Sequence, residues 1–126
     1  MRRVWIVDDD QDMVGAIRLM VKMLECEERH FFSARQAAQT LLGGDRPDLF
    51  ILDINMPEVS GLDFLEFLRR RKEWKGLPVV MLSNEAADVT VDKAMAIGAD
   101  AYVTKPVALE ELEKAMKKAL AAHGKE

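Results

Sequence analysis

The sequence predicts an α/β fold, a single doubly wound (βα)5 domain, on three observations. Val4-Trp5-Ile6-Val7, Leu49-Phe50-Ile51-Leu52 and Val79-Val80-Met81-Leu82 are unbroken apolar runs, the pattern of strands covered on both faces. Between them, apolar residues recur at helical spacing. Turn residues punctuate the alternation: Ser33 and Ser60 stand where N-caps are needed, and Gly43, Gly76 and Gly98 follow the helical stretches.

In chain order, the run at 4–7 is a strand, and Met13, Ile17, Met20 and Leu24 line one stripe of the helix after it. His30-Phe31-Phe32 is a shorter strand suited to a sheet edge, followed by the stripe Ala34, Ala37, Ala38 and Leu41. After the run at 49–52, residues 61–72 are helical with a broad apolar face formed by Leu62, Phe64, Leu65, Phe67 and Leu68. Trp74 is expected to pack as a lid over that helix end, and Arg69-Arg70-Arg71-Lys72 to be its solvated last turn. Pro47 and Pro78 precede strands, where no central ladder donor is lost. Residues 85–97 make the weakest helix because Val89, Thr90 and Val91 are β-branched in series. Ala101-Tyr102-Val103 is a short last strand, and Leu109, Leu112, Met116 and Leu120 line the last helix. Strand–helix–strand connections are almost always right-handed, so helices cover both faces of one parallel sheet.

Bulk properties narrow the function. A chain of 126 residues, 49% hydrophobic and 32% charged, suits one globular domain, expected over 1–123 with 124–126 as a tail. A net charge of −4 argues against a nucleic-acid surface, and no apolar stretch reaches membrane-span length. Cys26 is alone, which fits a reducing, cytoplasmic setting.

Five polar positions fall at or just past strand ends: Asp8, Asp9, Asp53, Ser83 and Lys105. In an open parallel sheet those ends share one crevice. Three carboxylates, a hydroxyl and an ammonium there suit a divalent cation and a phosphoryl group. Each residue alone has a plainer reading: a solvated acidic loop, a strand-end cap, a turn serine, a surface lysine. Their joint arrival at strand ends favours the site.

Val7-Asp8-Asp9, Leu52-Asp53-Ile54-Asn55-Met56-Pro57 with Gly61, Met81-Leu82-Ser83-Asn84-Glu85, Gly98-Ala99-Asp100-Ala101-Tyr102 and Lys105-Pro106 follow in that order. With this set the whole chain resembles the receiver domains of two-component response regulators. The resemblance implies sheet order 2-1-3-4-5 and Mg²⁺ (or Mn²⁺) bound by Asp9, Asp53 and the backbone carbonyl of Asn55, with Asp8 acting largely through water. It implies Asp53 as the phosphoacceptor, Lys105 and Ser83 on the phosphoryl oxygens, Tyr102 with Ser83 as the switch, and a cis bond before Pro106. The partners it implies are a histidine kinase or histidine phosphotransfer protein and a downstream protein or output domain. Phosphorylation would be read on the surface of the fourth helix, last strand and last helix, and the domain would not be an enzyme beyond its own phosphoryl chemistry. His30 and His123 do not suit the donor role. Val107 replaces a frequent aromatic, and the last strand and helix lack the full charge set of one known receiver dimer.

Readings from other classes remain. A small aspartyl-nucleophile phosphatase would share Asp53 and Mg²⁺ but usually carries a second Asp where Asn55 stands. A nucleotide or flavin module would need a phosphate-cradling loop where Asp8, Asp9 and Asp10 stand. A phosphorylation-independent interaction module on the same fold is the harder alternative to exclude, and the intact acidic pocket argues against it.

Overall fold

Five parallel strands and five helices alternate along the chain: β1 Arg3–Val7, α1 Gln11–Met23, β2 Glu27–Phe31, α2 Ala34–Leu42, β3 Leu49–Asp53, α3 Gly61–Arg70, β4 Val79–Ser83, α4 Asp88–Ile97, β5 Ala101–Thr104 and α5 Leu109–Ala122. The computed structural model describes residues 1–84 and 88–125; the expected start of the fourth helix, with Glu85, lies outside them. The sheet runs β2-β1-β3-β4-β5, the order that the resemblance implied.

Alternation along each strand splits the core into two layers. Trp5, Val7, Phe50, Leu52, Val79 and Met81 face α2, α3 and α4, while Val4, Ile6, Leu49, Ile51, Val80 and Leu82 face α1 and α5. Every residue of β3 and β4 is buried, which is why both read as continuous apolar runs. β2 differs: Glu27, Glu28, Arg29 and His30 pair with β1 from the sheet edge, where one flank meets water. The strand therefore starts earlier than the apolar signal at 30–32, and Phe32 falls beyond it, 48% exposed.

Caps follow the sequence closely. Ser33 Oγ accepts the Gln36 N–H at 3.2 Å, and Ser60 Oγ accepts the Asp63 N–H at 3.2 Å. Asp10 caps α1 by accepting from the Asp12 and Met13 amides. α3 stops at Arg70, two residues short of the expected end, because Arg71 turns to extended backbone. That turn lets the Arg71 guanidinium lie over Phe67, 5.0 Å from its centroid, and brings Trp74 against Phe67 at 5.4 Å. Trp74 is buried, as a lid on the helix end. Gly76 lies in the loop beyond rather than directly after the helix.

Arg69 departs from the solvated helix end expected of it. Its guanidinium donates to three backbone carbonyls, Gly98 at 2.9 Å, Lys75 at 3.1 Å and Leu77 at 2.7 Å, and to Asp100 Oδ2 at 3.0 Å. Asp100 also accepts the Val79 amide at 2.8 Å and meets the His123 ring at 3.0 Å. One charged pair thus ties together α3, the start of β4, the loop before β5 and the end of α5, at the pole of the sheet away from Asp53. Gly98 has φ +125°, a conformation that favours glycine, and a Cβ there would press on the Arg69 side chain at 3.0 Å.

Candidate functional site

The C-terminal ends of β1, β3, β4 and β5 share one rim of the sheet because all the strands are parallel. The order reverses at β1, whose neighbours β2 and β3 are reached in opposite directions. A crevice opens at such a point. Asp8 follows β1, Asp53 ends β3, Ser83 ends β4 and Lys105 follows β5. Asp8, Asp53 and Ser83 are buried although polar.

Backbone pairing fixes their spacing. Ser83 lies opposite Thr104, and its carbonyl accepts the Lys105 N–H at 2.8 Å. The peptide bond from Lys105 to Pro106 is cis. The Lys105 ammonium reaches Asp8 Oδ2 at 3.1 Å and Asp53 Oδ1 at 3.4 Å, with only 5% of its side chain exposed. Asp8 Oδ1 accepts the Asp10 amide at 2.9 Å. Asp8 Oδ2 is fully buried and has no donor in hydrogen-bond alignment among the described residues, despite the nearby ammonium. Asp9 is exposed at the mouth, and oxygens of Asp8, Asp9 and Asp53 all lie within 4.8 Å of one another.

These groups strain each other electrostatically. Burial, and then the neighbouring Asp8 carboxylate, push the Asp53 carboxyl up to about 6, against the pull of Lys105 and the Asn55 amide. Burial pulls the Lys105 ammonium down, but Asp53 and Asp8 outweigh it and hold the lysine above its ordinary value. When ionised, three carboxylates face a single ammonium, so the pocket carries excess negative charge. A hard divalent cation with oxygen ligands fits that donor set, and Asp8 Oδ2, buried beside the Lys105 ammonium without an aligned donor among the described residues, has lone pairs to offer one.

Gly61 shapes the floor. The loop after β3 doubles back so that the Gly61 N–H bonds the Ile54 carbonyl at 2.9 Å. A Cβ on Gly61 would sit 2.0 Å from the Asp53 carbonyl oxygen. The motif contained this glycine, but the reason for it is a tertiary contact. Asn55, two residues past Asp53, is exposed, and its backbone N–H donates to the Asp53 carboxylate. Tyr102 lies opposite Met81 and is half-buried against the α3–α4 side of the core. His123, just past the end of α5, packs on Asp100, remote from this rim.

The model of the response regulator receiver domain family matches residues 4–117. The KDP operon transcriptional regulatory protein KdpE of Escherichia coli is 34% identical over 126 residues, spanning 98% of this chain and 53% of that protein. The transcriptional regulatory protein CpxR of the same organism is 33% identical over 113 residues, 89% of this chain and 46% of that one. The chain thus spans about half the length of these curated relatives, and only 17% of the protein RcaC of Microchaete diplosiphon. Among solved structures, the Vibrio cholerae chemotaxis protein CheY4 superposes with a TM-score of 0.86 at 27% identity, covering 95% of this chain and 99% of that one. A putative response regulator from Chloroflexus aurantiacus gives 0.89 at 28%, covering 95% and 98%.

Proposed function

The chain belongs to the response regulator receiver domain family, and we propose that within it Asp53 takes a phosphoryl group from the phosphohistidine of a histidine kinase or phosphotransfer protein. The observation that carries this reading is the buried Asp53 carboxylate, 3.4 Å from a buried lysine and within one ligand sphere of two more aspartates. In the transfer, an Asp53 oxygen attacks phosphorus as the phosphorus–nitrogen bond breaks. The electron pair returns to the departing imidazole, which regains a proton.

Asp8, Asp9, Asp53 and the Asn55 carbonyl would hold Mg²⁺ or Mn²⁺. The bound cation supplies screening of the negative charge shared by nucleophile and phosphoryl group. Lys105, already between Asp8 and Asp53, offers its ammonium to a phosphoryl oxygen, and Ser83 offers its hydroxyl from the end of β4. The domain turns over only its own phosphoryl group and is otherwise no enzyme. We place the receiver unit at 1–123, with 124–126 following it, and the protein in the cytoplasm; no described helix is long and apolar enough to cross a membrane.

Intact-mass measurement after incubation with a small phosphodonor and Mg²⁺ should show a single added phosphoryl group, absent from Asp53→Asn. A singly phosphorylated Asp53→Asn protein would overturn the assignment.

The signal would be read on the α4–β5–α5 surface by a downstream protein or output domain. A phosphoryl group on Asp53 draws the Ser83 hydroxyl inward, and Tyr102 rotates toward the space released behind β4. α4 contributes a single fully buried side chain among its described residues, Ala94, while Val89 is 80% exposed, so this helix is weakly held on the core. On adding beryllofluoride, a phosphoryl mimic, amide shifts should reach 89–97 and Tyr102. Shifts confined to residues around Asp53 would contradict the switch.

A further inference from the structure

We propose that His30, on the edge strand β2, is a positioning residue for the acidic pocket: its Nε2–H fixes the peptide plane from which Asp9 projects. The inference rests on reading Asp8, Asp9 and Asp53 as a divalent-cation site.

His30 Nε2 lies 2.8 Å from the Asp8 carbonyl oxygen, across 22 residues of sequence. A carbonyl only accepts, so Nε2 carries the proton, and the tautomer is set by the contact. The Phe32 ring packs edge-on against the imidazole, with centroids 4.2 Å apart, and limits its rotation. β2 grips Asp8 a second time, because the Asp8 N–H donates to the Phe31 carbonyl at 3.1 Å. These two bonds hold different peptide planes. The Phe31 bond holds the plane between Val7 and Asp8, which the β1–β2 ladder already orients. The plane between Asp8 and Asp9 carries the Asp8 carbonyl at one end and the Asp9 N–H at the other. Among the described residues its one hydrogen bond is that to His30.

The consequence is geometric. Asp8 is fixed from several sides: its side chain is buried, with Oδ1 on the Asp10 amide and Oδ2 against Lys105. Asp9 is exposed, and none of its side-chain atoms is held by a hydrogen bond or ion pair among the described residues. Its carboxylate reaches the other two only because the backbone aims it there. Rotation of the Asp8–Asp9 plane would carry that carboxylate away from the cluster. Mg²⁺ requires near-ideal octahedral placement of its ligands, so it is sensitive to such a rotation. Partners that orient ligands commonly govern metal affinity by about tenfold or more.

Mg²⁺ titrations by calorimetry on the full chain test this, with melting in metal-free buffer as the control on folding. His30→Phe keeps an aromatic edge for Phe32 and deletes the donor; His30→Gln keeps a donor at similar reach. The expected result is Mg²⁺ affinity lowered about tenfold in His30→Phe and within about twofold of wild type in His30→Gln, with both variants melting cooperatively in metal-free buffer and His30→Phe somewhat earlier, because the Asp8 carbonyl loses its donor. Wild-type affinity in His30→Phe overturns the proposal. Should His30→Phe fold poorly, His30→Leu against His30→Gln poses the same contrast, and equal affinities for that pair overturn it. Asp9→Asn must lose Mg²⁺ binding; if it does not, the site reading beneath the proposal fails, whatever the His30 variants do.

Discussion

Gly61→Ala is expected to cost about 3 kcal/mol of folding stability, an unusual penalty for adding one methyl group. The added carbon would stand 2.0 Å from the Asp53 carbonyl oxygen, 2.7 Å from its carbonyl carbon and 2.9 Å from the Ile54 Cα. All three are backbone atoms, so no side-chain rotation relieves the overlap. Asp53 cannot retreat, because β3 is flanked by β1 and β4 and the Ile54 N–H is bonded to the Leu82 carbonyl at 2.9 Å. The loop must therefore lift, breaking the bond from Gly61 N–H to the Ile54 carbonyl and disturbing the Ser60 cap of α3. Urea unfolding measures the loss as a lower midpoint at unchanged slope. A loss under about 1 kcal/mol would show that the loop after β3 can shift freely, contrary to the tight floor described for the site.

Arg69→Met is expected to cost about 3–5 kcal/mol, because it strands the Asp100 carboxylate at the far pole of the sheet. The two side chains are only 14% and 11% exposed, so neither keeps much water of its own. Methionine preserves the packing of the stem, and the loss then reports the guanidinium. Three carbonyls lose their donor, and Asp100 keeps only the Val79 amide and the His123 ring. Asp100→Asn in the Arg69→Met background should recover part of the deficit, since the uncompensated buried charge is then removed. A loss below about 1 kcal/mol, as for an exposed ion pair, would refute this account of the brace.

The contrast between these two residues marks what the sequence could and could not reveal. β1, β3 and β4 were legible because strands buried on both faces must be apolar throughout, and their polar terminators Asp8, Asp53 and Ser83 then stood out. β2 was half legible: an edge strand needs no second apolar face, so Glu27, Glu28 and Arg29 carry no strand signal. Arg69 looked like any basic helix end, since its partner Asp100 lies 31 residues on and no periodicity links them. His30 reads in sequence as an edge-strand residue unsuited to a donor role, and its bond to the Asp8 backbone has no trace in side-chain pattern. Gly61 was visible as a motif letter, yet its reason, the approach to Asp53, exists only after α3 folds back on β3. Local burial and local capping write themselves into sequence; contacts between distant backbone segments do not.

The central claim is that one carboxylate among three clustered aspartates receives the phosphoryl group. Borohydride reduces an aspartyl phosphate to homoserine and leaves free carboxylates untouched. After phosphorylation with Mg²⁺ present, reduction and peptide mapping should find homoserine at position 53 and aspartate at 8 and 9. Homoserine at position 8 or 9, or at none of the three in protein carrying an added phosphoryl group, would contradict the account.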